Sequence, residues 1–167
     1  MPSIRPVRVR RANAGDADAI CRICSAGWRD TYRDLLAGED VERVIASYYS
    51  RERVGAEVQA PNGWDGWWVA EDGAGDVVAV GGGMTSGDRR EVLVLYADPA
   101  RRRQGGGSAV LEAITGEQRA GGAREQWVSV VPGNRLGIAF YERHGFAPAG
   151  ERPQSIGPPS ELYRREL

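Results

Sequence analysis

The sequence predicts a mixed α/β fold in which one central β-sheet is flanked by helices. Three observations predict it: short strand-like apolar runs alternate with segments of helical periodicity, glycine and proline clusters separate them, and 167 residues are enough to bury one core. The predicted order is β-α-α-β-β-β-α-β-α-β. No repeat or linker interrupts it, so residues 1–167 are predicted to form a single domain.

The amino-terminal third predicts one strand and two helices. The stretch VRVRRA alternates as a strand does, and Asn13 to Asp16 is a cluster of helix-starting residues before a helix that reaches about Trp28 or Tyr32. A second helix follows Gly38 and is predicted to end before the loop QAPNGWDG. Apolar residues spaced by three or four positions support it: Val41, Val44, Ile45 and Tyr48.

The middle of the chain predicts a β-hairpin and a further strand. WWVAE and VVAVGGGMT are apolar runs separated by the turn-rich DGAGD, which is typical of a hairpin with a longer loop. EVLVLYA follows and ends at Asp98-Pro99, where proline stops the strand.

The remaining elements alternate helix and strand. A helix face marked by Val110, Leu111 and Ile114 begins near Gly107, and the buried strand QWVSVV follows it. A helix over residues 134–144 is predicted to stop at Gly145, where glycine can adopt the left-handed conformation. The alternation in SELYRREL indicates the last strand.

Composition excludes several classes of protein. The formal net charge of -1 gives no general attraction to nucleic acid, and Arg101 to Arg103 lack the interleaved aromatic residues of a nucleic-acid binder. No apolar run approaches the roughly 20 residues of a membrane span, and the basic start lacks a signal peptide's apolar segment. We expect a soluble cytoplasmic protein without nucleic-acid or membrane partners.

No metal site is expected from the cysteine and histidine content. Cys21, Cys24 and the lone His144 are too few for the about four ligands of a zinc site. Both cysteines lie in an apolar-periodic segment, which favours core filling over redox chemistry. His144 directly precedes Gly145 and is interpreted as a helix-end residue that pairs with the last carbonyls.

The strongest motif is the segment EVLVLYADPARRRQGGGSAVLEAI, in which a strand, three arginines, three glycines and a helix follow one another. Unpaired backbone N–H groups and the helix dipole make such a helix start an anion site. Glycines let the backbone approach a phosphate, and guanidinium groups pair with its oxygens. A glycine-rich loop with a solvated arginine cluster is the alternative interpretation.

Two other phosphate-binding motifs do not match this segment. A P-loop needs a lysine followed by Ser or Thr after the glycines, and the chain has no such pair. A dinucleotide fingerprint places its glycines directly after a strand, whereas an arginine-rich turn intervenes here.

The pattern R-x-x-G-x-G formed by Arg102, Gly105 and Gly107, after a strand that ends in LYADP, resembles the acetyl-CoA loop of the GNAT N-acetyltransferase family. About thirty residues later, PGNRLGIAFYERHGF resembles the same family's following segment, and GWRDTYRDLL resembles its first helical region. The resemblance implies an N-acetyltransferase that moves the acetyl group of acetyl-CoA directly to an amine of a small molecule or peptide, without a metal. It also allows a homodimer. A catalytically inactive acyl-CoA-binding sensor or interaction module is the alternative.

The resemblance also implies which residues bind the acetyl-CoA. The strand end is expected to pair with the pantetheine arm, and the loop is expected to donate N–H groups to the pyrophosphate. These residues are Leu95, Tyr96, Ala97, Arg102, Arg103, Gln104, Gly105, Gly106, Gly107, Ser108 and Asn134.

The resemblance places Tyr141 as the general acid and Glu91 as the candidate base. A positioned phenol can protonate a departing thiolate, and a base must deprotonate the acceptor ammonium. Period-two alternation places Glu91 on one strand face with Leu93 and Leu95. Alternatively, Tyr141 is an aromatic anchor and Glu91 is a solvent-exposed strand-edge residue. Ser129 occupies a position where some members carry a glutamate base, and serine is a poor base, which leaves Glu91 or a water chain.

Aromatic residues of the amino-terminal half are candidates for the acceptor site. Trp28 and Tyr32 are four residues apart, so they share a helix face and are expected either to bind substrate or to pack in the core. Trp64, Trp67 and Trp68 are interpreted as hairpin and core residues rather than as a ligand cage.

Overall fold

The computed structural model describes residues 6–155 and 158–167. The strands are β1 (Arg8–Arg11), β2 (Trp68–Glu71), β3 (Val77–Ser86), β4 (Arg89–Ala97), β5 (Glu125–Val130), β6 (Ala147–Arg152) and β7 (Ser160–Glu166). The helices are α1 (Ala17–Tyr32), α2 (Gly38–Tyr48), α3 (Arg51–Gln59), α4 (Gly106–Ala120) and α5 (Arg135–Arg143). The predicted mixed α/β fold is confirmed.

All seven strands form one sheet in the order β1-β2-β3-β4-β5-β7-β6. Neighbouring strands are antiparallel except β4 and β5, which are parallel. Pairing between β4 and β5 joins Glu91 to Trp127 and Val92 to Val128, and it ends there although both strands continue. The sheet therefore opens between these two strands.

A β-bulge in β4 changes which side chains share a face. Val92 pairs with Gly83 and Val94 pairs with Gly82, so Leu93 is an extra residue without a partner in β3. Alternation shifts by one position at such a bulge. Glu91 therefore shares a face with Val94 and not with Leu95, so the expectation that it shares a face with Leu95 is wrong.

Helices cover both faces of the sheet. On one face, α4 and α5 contribute Val110, Leu111, Ile114 and Tyr141 to a core with Val92 of β4. On the other, α1 and α3 pack against β2, β3 and β4 through a core that buries Ile20, Ile23, Cys24, Val54, Val80 and Val94. Because β4 lies between the two cores, its side chains reach both layers.

Two elements differ from the predicted order. The second predicted helix is two helices, because the chain leaves helical geometry at Tyr49 and Ser50 then caps α3 by accepting from the Arg53 N–H at 3.2 Å. β6 was not predicted, since Pro148 and Gly150 mask a strand that pairs with β7. In the described part of the chain, no helix has the length and apolar character to cross a membrane.

Candidate active site

A cavity of about 450 Å³ lies where β4 and β5 separate. Its walls come from the second half of β4, the glycine loop, the first turn of α4, and α5. The structure brings together nearly all of the predicted cofactor-binding residues there: Leu95, Tyr96, Ala97, Arg102, Arg103, Gly105, Gly106, Gly107, Ser108 and Asn134. Gln104 is exposed and does not line this cavity.

The glycine loop has the backbone geometry of an anion cradle. Arg103 has φ of 64° and Gly105 has φ of 84°, so two left-handed residues lie just before α4. Gly106 lies so close to β3 that a Cβ there would be 3.0 Å from the Ala79 Cβ. The first turn of α4 leaves its N–H groups without intrahelical partners, and such a turn suits a phosphate group. The residues present therefore fit the predicted ligand.

The arginines of the loop have different partners. Arg101 forms an ion pair with Asp72, and Arg102 pairs with Asp30 at 2.7 Å. Among the described residues, neither Arg103 nor Arg143 has an ion-pair partner, and both line the cavity. Arg143, at the end of α5, was missed because its reach into the cavity depends on how α5 packs.

Tyr141 lies on α5 between the rings of Phe140 and Phe146 and lines the cavity. Burial raises the pKa of Tyr141 above its ordinary value, and nearby Tyr32 adds to the shift. The Tyr32 hydroxyl lies 3.3 Å from the Tyr96 hydroxyl in the same cavity. Tyr141 therefore stays protonated near neutral pH, as a proton donor must.

Asn134 connects α5 to the cavity wall. Its side chain accepts from the Gly137 N–H at 3.0 Å and caps α5, as the predicted helix start requires. Burial raises the pKa of Tyr32, and its polar neighbours Tyr96 and Asn134 partly offset the shift. Tyr32, predicted at the acceptor site, thus lies in the cavity that holds the glycine loop.

A second cavity of about 810 Å³ adjoins the first on the side of α1, α2 and α3. The two cavities share lining residues from several elements, among them the bulge and α1: Trp28, Tyr49, Leu93, Val94, Val131, Gln154 and Ser160. Trp64 and Trp67 also line the second cavity, although Trp67 is buried in the core as the sequence predicted. Arg53 and Glu57 of α3 reach it too.

Glu91 is buried, with 4% of its surface exposed, and lines neither cavity. Both of its carboxylate oxygens contact the Arg152 guanidinium, and Arg89 Nε lies 3.2 Å from Oε1. The solvent-exposed alternative is therefore wrong. The proposed role as base is not supported either, because the carboxylate is engaged by arginines and lines neither cavity. Ser129 has a buried hydroxyl without a hydrogen-bond partner among the described residues.

The remaining candidates have structural roles. His144 Nδ1 lies 2.7 Å from the Phe140 carbonyl oxygen, which confirms its interpretation as a helix-end residue. Cys24 is fully buried in the core, and burial raises the pKa of its thiol, which confirms core filling at this position. Within residues 6–155 and 158–167, no group of three potential metal ligands clusters.

Comparisons with known proteins identify the family and agree with the fold. The family model for the acetyltransferase (GNAT) domain matches residues 63–148. The fold is similar to that of the PaiA N-acetyltransferase from Thermoplasma acidophilum, determined in complex with coenzyme A, with a TM-score of 0.82 and 18% identity over 97% of this chain and 99% of that one. It is also similar to that of a GCN5-related N-acetyltransferase from Rhodopseudomonas palustris, with a TM-score of 0.76 and 17% identity over 98% and 96% of the two chains. No curated protein sequence is significantly similar. Because this match covers more than half of the chain, the chain belongs to the GNAT acetyltransferase family.

Proposed function

We propose that the chain transfers the acetyl group of acetyl-CoA directly to an amine of a small molecule or peptide. The observation that carries the proposal is that one cavity joins the end of β4, the glycine loop and the buried hydroxyl of Tyr141. Acetyl-CoA, when bound, supplies an acetyl group activated as a thioester. It remains a prediction that the chain forms a single domain, that it forms a homodimer and that it acts in the cytoplasm.

The glycine loop would hold the diphosphate of the donor. Backbone N–H groups of the first turn of α4 bind an anion, the helix dipole favours it, and Arg103 adds an unpaired charge beside them. Leu95, Tyr96 and Ala97 follow the point where β4 stops pairing with β5. Their backbone groups on that edge are therefore available to a ligand amide and to the oxyanion that forms during transfer.

Tyr141 would protonate the departing thiolate. Its buried phenol is neutral at working pH, and a phenol can donate to a thiolate that it reaches by hydrogen bonding. We assign deprotonation of the acceptor to water in the joined cavities, since Glu91 is bound by arginines and Ser129 is a poor base. No cysteine lines either cavity, which favours direct transfer over an acyl-enzyme.

The acceptor would enter through the second cavity. Trp28 lines both cavities, and its indole Nε1 donates to the Tyr49 hydroxyl at 3.3 Å. The Trp28 ring would then lie at the boundary between donor and acceptor. Tyr32 lies 4.3 Å from Trp28, measured between ring centroids, and would support this ring from the donor side.

Thermal melting with acetyl-CoA, CoA and longer acyl-CoAs tests the donor. A ligand that binds only the folded state raises the melting temperature, by an amount set by its concentration relative to Kd. We expect acetyl-CoA and CoA to raise it. Absence of a shift with every thioester at concentrations far above the micromolar range would contradict the proposal.

The Tyr141→Phe variant tests the general acid. We expect kcat to fall by about 10²- to 10⁴-fold because the proton donor is lost, while acetyl-CoA still raises the melting temperature. Tyr163→Phe is the matched control, since Tyr163 lies in the same core but lines neither cavity. Equal activity of Tyr141→Phe and wild type would remove Tyr141 from the mechanism. Acyl-CoA binding without turnover of any amine would favour the inactive sensor.

A further inference from the structure

We infer that the acceptor is a primary amine on an uncharged, bulky apolar body, of the size and shape of an aromatic ring. The inference rests on the proposed function and specifies its acceptor. Its basis is the second cavity, whose volume of about 810 Å³ lies in the range of small-molecule sites. The residues that line it are mainly aromatic and aliphatic, and the aromatic ones are Trp28, Tyr48, Tyr49, Trp64 and Trp67.

The tryptophan wall of this cavity is held in place by the fold. Trp64 and Trp67 contact edge to face, with ring centroids 4.9 Å apart and planes at 89°. Gly82 of β3 lies beneath this contact, and a Cβ there would collide with the Trp64 ring and the Gly66 carbonyl. The absence of a side chain at Gly82 therefore lets the Trp64 ring lie against the sheet.

Hydrogen bonds fasten the loop that carries Trp64. The Asp65 N–H donates to the Gly83 carbonyl at 2.9 Å, and Arg11 Nη1 donates to the Asp65 carbonyl at 3.0 Å. The Asp65 carboxylate accepts from the Thr85 hydroxyl at 3.2 Å. Both the Trp64 ring and the backbone of its loop are held in place. A ligand can therefore bind to this aromatic face with little loss of conformational entropy in the protein.

The charges of the cavity neutralise each other. Among its described lining residues, the charged ones are Arg53 and Glu57, whose Nε and Oε1 atoms are 2.9 Å apart. Arg53 also lies over the Tyr48 ring, 4.7 Å from its centroid, and donates to the Ser47 carbonyl. A second ammonium or a carboxylate on the acceptor would find no unpaired counter-charge and would lose hydration on entry.

The bulge connects this cavity to the donor. Leu93 is 48% exposed and, together with Val94, lines both cavities. An amine at the bulge thus lies next to the end of β4, while its apolar body extends toward Trp64. The second cavity would hold the apolar body of the acceptor, and the bulge would hold its reacting nitrogen beside the first cavity.

Binding of a matched set of amines tests the inference. Isothermal calorimetry in the presence of CoA would compare 2-phenylethylamine with the amino acid 4-(2-aminoethyl)benzoic acid, which adds a carboxylate at the far end of the ring, and butylamine with 1,4-diaminobutane, which adds an ammonium. We expect 2-phenylethylamine to bind at least about tenfold more tightly than each of the others, a ratio that one apolar group can supply. Equal or tighter binding of the diamine or the amino acid would overturn the inference.

The Trp64→Ala variant tests the wall itself. We expect it to weaken binding of 2-phenylethylamine by about tenfold or more. Trp68→Phe is the matched control, because Trp68 packs on the opposite face of the sheet beneath Arg11. Unchanged affinity in Trp64→Ala, with a wild-type melting temperature, would also overturn the inference. The acetyl-CoA melting experiment reports separately on the proposed function, since it needs no amine.

Discussion

Leu93, a single residue without a partner in β3, determines which side chains of β4 lie on each face of the sheet. It lets Val92 and Leu95 point toward α4, while Val94 and Tyr96 point toward α1. Glu91 lies before the bulge and next to Arg152, away from both cavities. Glu91 is therefore buried beside arginines and lines neither cavity.

The Glu91→Gln variant distinguishes a structural role from that of a base. We expect the free energy of unfolding to fall by about 1–3 kcal/mol, because Arg152 and Arg89 lose their counter-charge in a partly buried site. Denaturation in urea would measure this loss. The pH dependence of kcat/KM should keep its wild-type form.

An exposed ion pair provides the comparison for Glu91→Gln. Glu42 pairs with Arg29 at the surface, and Glu42→Gln should leave the free energy of unfolding close to that of the wild type. If Glu91→Gln instead abolished the acidic limb of the rate profile while leaving stability intact, Glu91 would be the base after all.

Residues that act through their backbone could be predicted from the sequence, whereas those that act through side chains could be predicted only in part. The loop from Arg102 to Ser108 is local, and its run of glycines indicates a close approach of the backbone, although only Gly105 among these glycines has a positive φ. Trp64 and Glu57 reach the second cavity through the packing of a loop and a helix that lie far from Leu93 in the sequence. No local pattern identifies such residues.

At the scale of elements, a buried polar network joins α4 to β5 and β7. Gln126 Nε2 donates to Thr115 Oγ1 at 3.1 Å and to Gln118 Oε1 at 3.0 Å, while Arg165 Nε donates to Gln126 Oε1 at 2.9 Å. Gln118 in turn donates to the Glu91 carbonyl at 2.8 Å. Because every member has a partner, the network can fix the position of α4, and with it the glycine loop.

The Gln126→Leu variant tests this network. We expect the free energy of unfolding to fall by about 2–3 kcal/mol, because Gln118 and Arg165 are left with unpaired polar atoms in the interior. Chemical denaturation monitored by circular dichroism measures the change. Gln59→Leu, at the exposed end of α3, should stay within about 0.5 kcal/mol of wild type. Similar losses in the two variants would contradict the structural role of the network.

Element boundaries differ from the sequence prediction where two physical effects compete. Apolar residues keep a helical spacing across the junction of α2 and α3, but Ser50 offers its hydroxyl to the next helix and the chain turns there. In β6, proline and glycine are unfavourable for a strand, and pairing with β7 outweighs them. Tertiary contacts decide both cases, and they are not visible in a short window of sequence.

At the scale of the whole molecule, the layers of the fold enclose a group of neutral phenols. Burial raises the pKa of Tyr32, Tyr49, Tyr96 and Tyr141 above the ordinary value, and these residues come from α1, β4, α5 and the segment between α2 and α3. The alternation of strands and helices that predicts the fold does not predict this group of tyrosines, because their proximity depends on how the layers pack. The single domain over residues 1–167 stays a prediction.

Because the pKa values of these phenols are raised, we expect the protein to lose stability in alkali. Their folded pKa lies above the unfolded value of about 10, so their contribution is complete below pH 10 and is lost as pH rises toward the folded pKa. Each phenol that stays protonated should lower the free energy of unfolding by about 1.4 kcal/mol per pH unit in this range. Urea denaturation at several alkaline pH values measures the slope, and the ultraviolet absorbance of tyrosinate measures ionisation. Ionisation of all tyrosines in the folded protein near pH 10 would contradict the expected burial.

Two residue pairs join β4 to β5, so the sheet consists of two halves with a short connection between them. One half contains β1 to β4, and the other contains β5, β7 and β6. Amides on the facing edges beyond Val92 and Val128 have no strand opposite them and should exchange hydrogen with solvent quickly. A donor whose arm carries amide groups of its own would occupy the gap as an additional strand and slow that exchange on both edges. The substrate would then be a temporary structural part of the protein, and each catalytic cycle would close and reopen the sheet.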